Sequence, residues 1–186
     1  MIFCLESLKE QIQMNRSSKQ VVQIPKLLQS LIALVTFRLG THLREQTDLL
    51  RLGVRRHSRY CLREIQYIGD EYVQSELVRQ GYGRAMSITF STAGGVGEEQ
   101  DEEINVGLGD IFYFLRNLHE GRNDWQRSFQ LLPLLIRSTE VQIEEEGANE
   151  EIDAQMKNNG YNGEIFYYAN EAKEATLNRF IHRLRI

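Results

Sequence analysis

Glycine punctuation is the feature that most constrains this chain. Gly69, Gly81, Gly121 and Gly147 each close a stretch whose apolar residues recur three and four positions apart. That period places the apolar side chains on one face of an α-helix, and glycine supplies the left-handed backbone on which helices commonly end. Only two prolines interrupt 186 residues, and Leu, Ile, Glu, Gln and Arg are plentiful. An all-α chain is the expectation.

From the N-terminus, residues 1–20 read as a short amphipathic helix on Leu5, Leu8 and Ile12 with a polar linker, Asn15-Arg16-Ser17-Ser18-Lys19. Residues 21–186 read as one helical domain. Pro25 suits the first turn of a helix continuing through Phe37, and Gly40-Thr41 breaks it. Leu43 to Ile68 follows, with an interruption expected near Gly53. Glu71 to Arg79, a Gln80-Gly81-Tyr82-Gly83 turn and a brief helix from Arg84 to Phe90 come next; Ser87-Ile88-Thr89-Phe90 taken alone also suits a strand. Residues 91–103 are expected to be a flexible loop, although its acidic end suits the first turn of the following helix. That helix runs to about His119. A further helix is expected from Trp125 to Glu146, with Pro133 inside it as a kink or a division into two parts. A short helix over Asn149–Met156, a second flexible loop over 157–163 and a final helix over Tyr168–Arg183 complete the reading.

A helix, a second helix leading to a glycine turn, and a further short helix occur in that order around Gly69–Gly81 and again around Gly121–Gly147, where the second helix is the longer one, and Ile24-Pro25-Lys26-Leu27-Leu28 stands as the matching piece of a preceding unit. Three-helix units of roughly 40–47 residues are the armadillo period. Such units stack into a solenoid with a concave wall, so an armadillo/HEAT-like α-solenoid of about three helical units is expected. Ile143-Glu144-Glu145-Glu146-Gly147 followed by Glu151-Ile152-Asp153-Ala154-Gln155 is similar to the Glu-Glu, Gly, then Ile-Glu-x-Leu-Gln run of the last unit in the importin-α family of nuclear import adaptors. Gln74–Phe90 resembles a unit's short helix, glycine and second helix. The resemblance covers about residues 55–183. In that family the third helix of each unit carries a Trp and, four residues later, an Asn; the Asn grips the backbone of an extended basic peptide and the Trp packs on its Lys or Arg stems. The resemblance puts Tyr113 and Asn117 at that place in one unit, and Tyr60 and Glu64 in the unit before it. Tyr replaces Trp at both places, and an aromatic ring still stacks on a cation.

Composition narrows the classes. A formal net charge of −4 argues against non-specific nucleic-acid binding, which depends on Lys and Arg neutralising phosphates. Cys4 and Cys61 are too few and too separated for a disulfide framework or a zinc site, and they read as free thiols of a reducing compartment. The apolar run from Leu27 to Val35 falls short of the roughly 20 residues that span a bilayer. Met1-Ile2-Phe3-Cys4-Leu5 meets Glu6 at once, unlike a secretory signal. A cytoplasmic or nuclear location follows as the expectation, without membrane or nucleic-acid partners.

No catalytic pattern emerges. Neither Glu-x-x-His spacing nor the Lys-Ser/Thr of a phosphate loop after Gly94-Gly95-Val96-Gly97 is present. Arg55, Arg56, Arg59 and Arg63 share helical spacing and read as a solvated face rather than an anion patch. The acidic run 98–103 reads as a solvated loop, Glu144-Glu145-Glu146 as an exposed helix end, and Trp125 as a helix-start anchor. The expected function is a non-enzymatic protein-binding scaffold without cofactor or metal, holding a protein or extended peptide through Tyr60, Glu64, Tyr113 and Asn117. The alternative is a structural subunit of a larger complex.

Overall fold

The computed structural model describes residues 1–15, 18–38, 44–91, 101–123 and 128–177. Ten helices occupy them: α1 (Ile2–Asn15), α2 (Ser18–Gln23), α3 (Leu27–Val35), α4 (Glu45–Ile68), α5 (Glu71–Arg79), α6 (Tyr82–Phe90), α7 (Asp101–Glu120), α8 (Pro133–Glu145), α9 (Ala148–Gln155) and α10 (Glu164–Thr176). Among the described residues the only extended pairing is a single antiparallel bridge between Arg122 and Phe129. The chain is all-α.

Local chemistry sets the boundaries. Asp70 caps α5 by accepting the Val73 N–H at 3.1 Å. Acidic residues open α4, at Glu45 and Asp48, and α7, at Asp101, Glu102 and Glu103, where they meet the positive end of the helix dipole. Gly81 and Gly147, with φ of 85° and 65°, turn the chain from α5 into α6 and from α8 into α9. Lys26 takes the same left-handed conformation, φ 62°, between α2 and α3.

Helices of like position lie against one another. The first helices of the series touch as α2 on α5 and α5 on α8, and the second as α3 on α6 and α6 on α9. The longer helices run α1 on α4, α4 on α7 and α7 on α10, and α4 and α7 approach least closely. One apolar cluster threads all of this, from Leu5 and Ile12 through Leu62, Ile65, Met86, Phe90 and Phe114 to Ile165 and Ala172.

Several boundaries differ from expectation. α4 is continuous, because Gly53 fits against Ile2 of α1: a Cβ there would lie 2.8 Å from Ile2 Cδ1. Pro25 lies in the turn between α2 and α3 instead of opening a helix to Phe37, and residues 27–35 are the helical part. Pro133 does not kink a helix begun at Trp125; it occupies the first turn of α8, where its missing N–H costs nothing. Segment 87–90 is helical, as the expected Arg84–Phe90 helix has it, and forms the last turn of α6. Residues 101–103, expected in a loop, are the first turn of α7. The expected loop 157–163 contains a 3-10 turn, Tyr161–Gly163, with the Gly160 N–H donating to Asn158 Oδ1 at 2.8 Å. Residues 92–100, Trp125, His42, His182 and the end of the last expected helix lie outside the described residues.

Candidate partner-binding cleft

A cleft of about 620 Å³ opens on the side formed by the longer helices. Gln13 of α1 lies at one side, and Arg63, Glu64, Gln66 and Tyr67 of α4 and Glu164 and Tyr168 of α10 bound it. From α7 come Asn105, Val106, Gly109, Asp110, Tyr113 and Asn117, and Arg122 closes the end. The spacing of 105, 109, 113 and 117 gives one face of α7, since residues four apart stack along a helix.

Three of the four residues singled out from the sequence meet here. Tyr113 and Asn117 both line the cleft, as does Glu64, while Tyr60 is not among its lining residues. The Tyr60 ring instead has Lys9 Nζ and Arg63 Cζ each 5.9 Å from its centroid. Tyr113 is half-exposed and stands edge-on to Tyr168 at 6.2 Å. Its hydroxyl hydrogen-bonds that of Tyr168, which, together with partial burial, pushes the Tyr168 phenol up to about 12.

The floor is polar and largely buried. Arg63 Nε donates to Asp110 Oδ1 at 2.6 Å, and burial raises the Asp110 carboxyl above its ordinary range against the opposing pull of Arg63 and Arg59. Asn105 Nδ2 donates to Glu164 Oε2 at 3.0 Å. Arg122, buried, spends its guanidinium on the end of α4: it donates to Tyr67 O, to Gln66 O at 3.1 Å and to Gly69 O at 3.3 Å. The guanidinium also stands over Phe129, with Cζ 5.2 Å from the ring centroid.

The arginine series on α4 is no solvated face. Arg55 and Arg59 are buried. Arg56 binds Glu103 and, at 2.9 Å, Glu102, Arg59 binds Glu103, and Arg63 binds Asp110. These pairs bridge the loosest seam of the longer-helix side, between α4 and α7. Glu102 and Glu103, read from sequence as loop charge, are the ladder's other half. The sequence reading missed Asn105, Asp110 and Tyr168 as cleft residues; the four-residue step backward from Tyr113 and Asn117 was the signal that leads to Asn105 and Gly109.

A second, shallower groove of about 520 Å³ lies between the α5–α6 turn and α8, with Arg79, Arg84 and Arg137 on its walls. Arg84 is committed to Glu145 at 2.5 Å and Glu146 at 2.7 Å, so the acidic end of α8 is tied to α6 rather than left free. Among the described residues no three His, Cys, Asp or Glu side chains converge as a metal site, and no helix is long and apolar enough to cross a membrane. Comparison with protein-family models, curated proteins and solved structures found no match.

Proposed function

We propose that the chain is a protein-binding scaffold, an armadillo/HEAT-like α-solenoid of three helical units whose longer-helix wall holds an extended peptide. The units are α2–α3–α4, α5–α6–α7 and α8–α9–α10, with α1 packed ahead of the first. Support comes from the left-handed residue at the same place in each unit, Lys26, Gly81 and Gly147, and from like helices stacking on like. The observation that carries the functional reading is that Tyr113, Asn117 and Glu64 line one cleft on that wall. An aromatic face, a carboxamide and a carboxylate suit a segment that presents backbone amides and side chains together. An adaptor of the importin-α type is the specific form that the sequence resemblance suggests.

The test is recovery of the protein with its partner from the native source, followed by the Tyr113→Ala, Asn117→Ala double variant. Partner affinity is expected to fall by about tenfold or more, in the range of truncated interface anchors. Unchanged affinity with an intact circular dichroism spectrum removes the cleft as the binding site. A structural subunit is the second reading, in which exposed side chains such as Phe3 and Leu134, at 84% and 81% exposure, are covered by neighbouring subunits. Recovery inside one stoichiometric complex that the double variant still enters supports it.

A further inference from the structure

We infer that the pole of the fold where α1 and α4 begin is the contact surface of a two-fold homodimer, occupied by a second copy of this chain. The inference does not rest on the cleft and holds whether or not a peptide binds there. α1 runs parallel to α4. A Cβ on Gly53 would meet Ile2 Cδ1 at 2.8 Å, Glu6 Oε1 lies 3.0 Å from His57 Nε2, and Cys61 Sγ donates to Leu5 O at 3.3 Å. α1 therefore starts level with Gly53, whereas α4 starts at Glu45, about two turns earlier. Residues 49, 50 and 53 share one face of α4, because positions three and four apart are neighbours on a helix. The face that α1 covers from Gly53 onward thus continues uncovered through Leu49 and Leu50, which are 56% and 62% exposed.

Other apolar side chains gather at the same pole. Met1 and Phe3 flank Ile2 in sequence, and both are exposed. The end of α3 arrives there too, since Arg55 Nη1 donates to Phe37 O at 3.5 Å, and the Phe37 side chain reaches solvent. A large apolar side chain offers about 150–250 Å² when wholly exposed. At their observed exposures Met1, Phe3, Phe37, Leu49 and Leu50 together present roughly 500–600 Å² to water. A two-fold axis counts that surface twice, giving about 1,000–1,200 Å², which reaches the lower bound of a specific protein–protein interface.

The charges of this pole select the occupant. Faces that lie on a membrane combine apolar side chains with an excess of Lys and Arg, and an acidic or basic peptide needs a rim of the opposite sign. Here the two signs alternate along the start of α4: Arg44 with Glu45, and Asp48 with Arg51, the latter pair 3.3 Å apart. A rim of mixed sign around an uncharged centre is complementary to itself, since a two-fold sets each patch against the same patch reversed. The area fits the same occupant: it supports a contact in the micromolar range, formed and lost with concentration, rather than a permanent one.

The experiment is sedimentation equilibrium of the full chain from about 1 to 300 μM, with a thiol reductant present because the exposed Cys4 adjoins Phe3. The mass is expected to rise from the 21.7 kDa of one chain toward twice that value and to stop there. Leu50→Glu and Phe3→Glu are each expected to weaken association by about tenfold or more. Both side chains are exposed, so the fold is expected to survive, read by an unchanged circular dichroism spectrum, and either variant suffices. Mixing Leu50→Glu chains with Leu50→Lys chains is expected to restore the dimer, because a two-fold brings the two copies of this patch together. Leu134→Glu, at an equally exposed apolar site on α8, is expected to change nothing. A mass that stays at one chain up to the highest concentration overturns the proposal. Growth past two chains, or loss of association in Leu134→Glu, overturns it in favour of head-to-tail assembly. Binding of a monomeric chain to phosphatidylserine vesicles, lost in Leu50→Glu, overturns it in favour of a lipid surface.

Discussion

At Arg59 a full positive charge sits at 2% side-chain exposure against Glu103 at 1%. Two ions taken from water repay their desolvation only through each other, so deleting one partner is far worse than deleting both. Arg59→Met is expected to destabilise the fold by about 3–5 kcal/mol, read by urea denaturation. Adding Glu103→Met is expected to recover part of that loss, because an apolar pair replaces a buried carboxylate left with Arg56 as its one partner, and Arg56 keeps Glu102. Equal destabilisation by the single and double variants argues against the pair. The helical spacing of the four arginines was legible in the sequence, but their role was not. The partners of Arg56 and Arg63 lie 47 residues away, and no local period reports a contact at that separation. The same holds in the cleft, where Tyr113 and Asn117 share a helix face by spacing while Glu64 joins them only through packing.

Among the helix junctions, Gly81 and Gly147 were visible as turns because glycine alone enters the left-handed region without strain. Lys26 was invisible in the same role. Ile-Pro-Lys reads as a helix start, yet the Lys26 backbone stands at φ 62° and ψ −1°, which costs an L-residue roughly 1–2 kcal/mol. Lys26→Gly is therefore expected to raise stability by up to about 1 kcal/mol, after the entropy that glycine adds to the unfolded chain. Gly147→Val is expected to lower stability by at least about 1 kcal/mol. Thermal melts of the two variants check the pair, and a fall in melting temperature for Lys26→Gly contradicts the assigned backbone. Pro133 teaches the complementary lesson. Apolar periodicity ran through it, and the missing N–H overrode the periodicity.

For the molecule as a whole, a half-buried histidine and a buried carboxyl bend stability with pH in opposite senses. Burial lowers His119 from its ordinary 6.5, outweighing its hydrogen bond to the Ala175 backbone and the nearby Glu120. Below that value the unfolded chain takes up the proton first, so stability is full above about pH 6.5 and falls as the pH drops toward the folded-state value. Asp110 is raised from 3.8 by burial. Its folded form binds a proton first, so its contribution rises as the pH falls through the raised value and is complete below 3.8. Urea midpoints from pH 8 to pH 5 are expected to decline below about 6.5, and His119→Gln is expected to flatten that decline. An unchanged slope in the variant assigns it to other groups.

Arg122 closes the carboxyl end of α4 from 53 to 56 residues downstream. Synthesis on the ribosome therefore delivers the whole of α4 long before the guanidinium that satisfies its last carbonyls. A nascent chain holding only the N-terminal half keeps that helix end frayed, and the seam above it has no second wall to grip. The order of translation thus makes completion of the cleft a late event, since its last lining residues, Glu164 and Tyr168, belong to α10.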